Sequence, residues 1–93
     1  MERPQSDATM HFRYDRDAAD ARRVLIHVYR ALKDKGYDPT SQLVGYLLSG
    51  DPTYITSHAG ARALIRSLDR DVLLEELVRA YIEGTGSQAA GLG

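Results

Sequence analysis

The chain has 93 residues, no cysteine and a formal net charge of -1, with 43% hydrophobic and 27% charged residues. That length suits one domain, the missing cysteine excludes disulfides, thiol catalysis and thiolate metal sites, and the balanced charge leaves no global field to hold nucleic acid or an anionic membrane. The apolar share predicts a folded globule, and apolar runs as short as Val72-Leu73-Leu74 exclude membrane insertion, so a cytoplasmic protein is expected.

Residues 1–14 are polar, carry Pro4 and show no sustained period. Met10, Phe12 and Tyr14 alternate with polar neighbours in a short strand-like pattern that has nothing to pair with. This stretch reads as a flexible N-terminal arm, followed by a helical domain over 15–84 and a small-residue, flexible tail over 85–93.

A first helix is predicted over about 17–35. Asp15 or Asp17 caps it, Ala21, Val24, Leu25, Val28 and Leu32 form its apolar face, and Gly36 ends it. Asp38-Pro39 then pairs a cap with proline at the first helical position and opens a second helix to about residue 48, which Ser49 and Gly50 stop, with Leu43, Val44, Leu47 and Leu48 inward. Asp51-Pro52 repeats the signal, but the β-branched Thr53, Ile55 and Thr56 limit it to one turn. Ser57 is expected to cap a fourth helix over 58–68, with Ala61, Leu64, Ile65 and Leu68 inward. Asp69 or Asp71 then starts a fifth, which Gly84 and Gly86 end. The expected fold is therefore all-α, a small bundle of four to five short helices. The fifth helix is apolar over a wide arc, through Val72, Leu73, Leu74, Leu77, Val78, Tyr81 and Ile82, which predicts burial on two sides and a homodimer.

The catalytic inventory is thin. His11, His27 and His58 stand in different elements without a partner at metal-ligand spacing, and no glycine-rich phosphate loop occurs. Glu75 and Glu76 are adjacent on a helix, so their side chains diverge and form no acid–base couple. No catalytic residue, metal ligand or cofactor is assigned. Two other features carry chemistry. Arg62, Arg66 and Arg70 are spaced four apart, and guanidinium groups on one helix face suit bidentate recognition of carboxylate or phosphate, or else pair with Asp69, Asp71 or Glu75. Thr9 lies in Ser6-Asp7-Ala8-Thr9-Met10-His11-Phe12, where a phosphate would add nearly two negative charges.

The block Lys35-Gly36-Tyr37-Asp38-Pro39 and the stretch Gln42-Leu43-Val44-Gly45-Tyr46-Leu47-Leu48-Ser49-Gly50-Asp51-Pro52-Thr53-Tyr54-Ile55 closely resemble the IreB family of regulatory phosphoproteins, which includes ReoM. Ala61-Arg62, Ile65-Arg66, Arg70-Asp71 and Glu75-Glu76-Leu77-Val78-Arg79-Ala80-Tyr81 extend the likeness, which covers about residues 9–84. The resemblance implies a helical homodimer phosphorylated on an arm threonine by a membrane Ser/Thr kinase with PASTA repeats and reset by a cognate phosphatase. Its implied output is control of peptidoglycan synthesis and cell-wall antibiotic tolerance, in the ReoM branch by promoting Clp-protease degradation of the enolpyruvyl transferase MurA until phosphorylation relieves it. Carried over by position, Thr9 is the phosphoacceptor, Ser6 a second candidate, and Arg62, Arg66 and Arg70 the effector-binding arginines. Relatives often have proline where this chain has Thr56 and a basic residue where it has Ser57, which shortens the basic surface here.

A nucleic-acid-binding module is the alternative, because helices four and five across a short turn outline a helix-turn-helix. The net charge and the acidic Glu75-Glu76 argue against it.

Overall fold

A computed structural model describes residues 3–92 of the chain, and the side chains of 17–84 within them. Four α-helices follow in order: α1 over Arg3–Asp34, α2 over Pro39–Ser49, α3 over Ala61–Arg66 and α4 over Arg70–Leu92. Two single 3-10 turns, Pro52–Tyr54 and His58–Gly60, link α2 to α3. The described residues contain no strand, and the fold is all-α.

The core forms because α1 offers an apolar stripe at helical spacing and the other helices close on it. Ala21, Val24, Leu25, Val28, Ala31 and Leu32 of α1 are buried against Tyr46 and Leu47 of α2, Ile55 of the connecting loop, Ala61 and Ile65 of α3, and Leu73 of α4. Leu32, Ile55 and Ile65 are fully enclosed, and each such side chain contributes roughly 1.5–3 kcal/mol relative to exposure.

The expected start and stop signals mostly operate. Gly36 is left-handed (φ 84°), and the Tyr37 amide donates to the Leu32 carbonyl at 3.0 Å, closing α1. Asp38 caps α2 by accepting from the Ser41 amide and hydroxyl, with Pro39 at the first helical position. Gly50 ends α2 in the left-handed region (φ 77°), its amide 2.7 Å from the Tyr46 carbonyl.

Several boundaries differ from expectation. The backbone of α1 runs back to Arg3 instead of starting near Asp17, because no proline or glycine interrupts 5–34 and Pro4 sits in the first turn, where its missing N–H costs nothing. The side chains of Ser6 and Thr9 lie outside the described residues. The helix expected over 58–68 is broken: Ala59 (φ 55°) and Gly60 (φ 70°) are both left-handed, so a 3-10 turn precedes a six-residue α3. Ser57 makes no capping bond; the Thr56 hydroxyl instead accepts from the His58 amide at 3.1 Å. Gly84 and Gly86 do not end α4, whose backbone stays helical to Leu92, since each glycine costs a helix only about 1 kcal/mol. Finally, α2 turns Tyr46 and Leu47 inward, half-buries Leu43 and leaves Val44 and Leu48 exposed.

Candidate functional site

Asp51 opens the turn after α2 by accepting at Oδ1 from the Thr53 amide (3.0 Å) and hydroxyl (2.8 Å). These bonds hold its carboxyl below the ordinary value of 3.8, first the amide and then the hydroxyl; slight desolvation opposes them and the charge of Arg62 assists. The segment is pinned to α2 from below. Gln42 Nε2 donates to the Tyr54 carbonyl at 2.8 Å, and the Tyr54 ring lies so close to Gly45 that a Cβ there would stand 2.4 Å from its Cε1.

Two of the three sequence-predicted arginines brace this same turn, from different helices. Arg62, near the start of α3, donates from Nε to the Ile55 carbonyl at 2.8 Å. Arg70, the first residue of α4, donates from Nη1 to the Leu47 carbonyl at 3.1 Å. Leu47 lies in the last turn of α2, where carbonyls lack helical partners, so Arg70 supplies a donor and a positive charge at the negative end of that helix. Its guanidinium passes over Gly50, where a Cβ would lie 2.9 Å from Cζ.

Arg66 shares the α3 face with Arg62 one turn earlier, is exposed, and has no hydrogen-bond or ion-pair partner among the described residues. Arg70 does not extend that face, because α3 stops at Arg66 and a new helix begins at Arg70. The pairing with Asp69, Asp71 or Glu75 that spacing alone allowed is absent among the described residues. Arg62 and Arg70 each spend one of five N–H donors on a backbone carbonyl, and the remaining donors stay available for a carboxylate or phosphate.

A second surface is apolar. Leu25, Ile26 and Tyr29 of α1, Leu43, Val44 and Leu47 of α2 and Leu77 of α4 line an open groove of about 610 Å³. Beyond it Leu48, Val78, Tyr81 and Ile82 are exposed, Leu48 at 81%. Of the wide apolar arc predicted on the last helix, only Leu73 is buried and Val72 half-buried within this chain.

Sequence reasoning missed one internal charge. Glu76 is only 3% exposed and receives Arg22 Nε at 3.2 Å on Oε2, with Arg79 Nη1 3.9 Å from Oε1. Its spacing of three from Leu73 was the available signal, since that places it on the helix face turned to the core. Among the described residues no group of three or more acidic, histidine or cysteine side chains could hold a metal ion, and no helix is long and apolar enough to cross a membrane.

Comparison with known proteins adds two findings. A family model described as IreB regulatory phosphoprotein matches residues 7–83. A UPF0297 protein of Acetivibrio thermocellus is 53% identical over 79 residues, covering 84% of this chain and 88% of that protein.

Proposed function

Since this chain belongs to the IreB family of regulatory phosphoproteins, we propose that it is a cytoplasmic, dimeric adaptor switched by phosphorylation of Thr9. A PASTA-type Ser/Thr kinase adds the phosphate, a cognate phosphatase removes it, and Ser6 is a secondary acceptor. The unphosphorylated form engages its effector through Arg62, Arg66 and Arg70. Control of peptidoglycan synthesis and cell-wall antibiotic tolerance follows from Clp-dependent degradation of MurA, and phosphorylation relieves it. The family is one of regulatory phosphoproteins, so the activity is binding and regulation in place of catalysis.

The observation that carries this reading is the extent of the family match, which spans Thr9 together with all three arginines. The geometry supports a division of labour among them. Arg62 and Arg70 hold the turn and keep spare donors, whereas Arg66 projects from the same region with its whole guanidinium available. The exposed apolar side chains of α4 and the groove beside them support the dimer.

The test is incubation of the full chain with a PASTA-type kinase domain and ATP, read by intact mass and peptide mapping beside a Thr9→Ala variant. One phosphate on Thr9, lost in the variant, is expected. Incorporation confined to residues of the helical body would overturn the switch. Arg66→Ala should leave the melting temperature unchanged and abolish effector regulation.

A further inference from the structure

A cleft of about 510 Å³ runs between α1 and α3, on the side of α3 opposite Arg62 and Arg66. One wall is a face of α1 on which Arg23, His27 and Arg30, at positions i, i+4 and i+7, follow one another, with Asp20, Val24 and Ile26 beside them. Leu64, Ser67 and Leu68 form the other wall. Arg30 has no hydrogen-bond or ion-pair partner among the described residues. Among the described residues Arg23 is paired only with the neighbouring Asp20, in an exposed i,i+3 contact of the kind that contributes little. His27 is fixed by its Nε2, 2.7 Å from the Ala59 carbonyl, which ties the cleft's edge to the left-handed turn before α3.

We infer that this cleft receives the phosphorylated N-terminal segment of a second copy, with the phosphate on Arg23 and Arg30. This rests on the reading of Thr9 as phosphoacceptor. Charge and apolar complementarity select the occupant. Phosphorylated on Thr9, residues 5–13 carry a near-dianion beside Asp7, with the apolar Met10 and Phe12 close by in sequence to meet Leu64 and Leu68. The arginines of the effector region keep donors of their own but are divided between α3 and α4, whereas Arg23 and Arg30 stand on one face of a single helix beside an apolar wall. Delivery comes from a second copy because Thr9 and Arg23 lie on one continuous helix, about 20 Å apart at about 1.5 Å per residue. Phosphorylation then does more than add repulsion: it seats a segment on a face distinct from the effector arginines.

The test titrates a synthetic peptide of residues 5–13, phosphorylated on Thr9, into the full-length ¹⁵N-labelled, unphosphorylated chain. Expected are saturable NMR shifts at Arg23, His27, Arg30 and 64–68, with affinity about tenfold or more weaker for the unphosphorylated peptide and for a Arg23→Gln/Arg30→Gln variant. Affinity for the wild-type chain should fall as salt rises, a reading independent of any variant's folding. Shifts centred on Arg62, Arg66 and Arg70, or equal affinity in a double variant with an unchanged melting temperature, would overturn the inference. The phosphate is built in by synthesis, so this result stands apart from whether a kinase modifies Thr9.

Discussion

Arg22 of α1 reaches the carboxylate of Glu76 on α4 with its Nε at 3.2 Å, and the two ends of this contact differ sharply in environment. The Arg22 side chain is 64% exposed, that of Glu76 only 4%. Losing the buried partner therefore costs more than losing the exposed one. Glu76→Ala removes the acid that both Arg22 and Arg79 approach and leaves a cavity against α1, so a loss of about 3 kcal/mol is expected. Arg22→Ala leaves Arg79 beside Glu76, and its exposed contact is worth about 1 kcal/mol or less. Urea unfolding of the two variants measures the asymmetry, and equal losses would show that the pair acts as an ordinary surface bridge.

Gly50 and Arg70 make a coupled pair. Alanine at Gly50 must hold φ 77°, which disfavours any residue with a Cβ, and it also crowds the Arg70 guanidinium. The expected cost of Gly50→Ala is about 1–2 kcal/mol. Arg70→Ala removes the crowding together with the bond to Leu47, so the double variant should lose less than the sum of the singles. Strict additivity in a denaturation cycle would mean that the guanidinium simply swings aside.

These two pairs mark how far the sequence could be read. The α1 stripe Ala21, Val24, Leu25, Val28 and Leu32 was legible because its period of three and four is local, and all five residues are buried. The Asp-Pro starts and the Gly36 and Gly50 stops were legible for the same reason, since cap chemistry acts within a few residues. The break at Ala59 was not. Alanine is a helix former whose left-handed conformation here accompanies a tertiary contact, His27 with its carbonyl, across 32 positions of sequence. The even spacing of Arg62, Arg66 and Arg70 suggested one row, but α3 ends before Arg70, and that row became two braces and one exposed side chain.

Acid should loosen the turn that carries Asp51. Its carboxyl titrates below 3.8 when folded, so the contribution is fully present above the unfolded value and is lost as pH falls through the lowered folded value. Asp51→Asn keeps the shape and an acceptor for Thr53 but removes the charge that Arg62 favours. The variant should be less stable near neutrality, and its stability should decline less steeply with acid below the ordinary carboxylate range. Denaturant midpoints taken from about pH 7 down to about pH 2 compare the slopes. Parallel slopes for wild type and variant would mean that Thr53 grips the neutral acid as well as the carboxylate.

The apolar flank of α4 makes the sharpest demand on assembly. Val78 and Ile82 are 62% and 60% exposed in one copy, a turn apart on the helix, with Tyr81 at 68% between them. Within the protomer these side chains contribute little, so Val78→Asp with Ile82→Asp should preserve helix content and the buried core around Leu73. In a dimer the same aspartates would have to be buried without partners, which costs several kcal/mol and should weaken association by about a hundredfold or more. Sedimentation velocity over a wide concentration range checks both parts: the wild-type chain should sediment as a dimer with a melting temperature that rises with concentration, and the variant as a folded monomer. A wild-type chain that stays monomeric at the highest concentrations would remove the second copy from the proposed switch. The exposed flank of α4 would then be left for the effector itself.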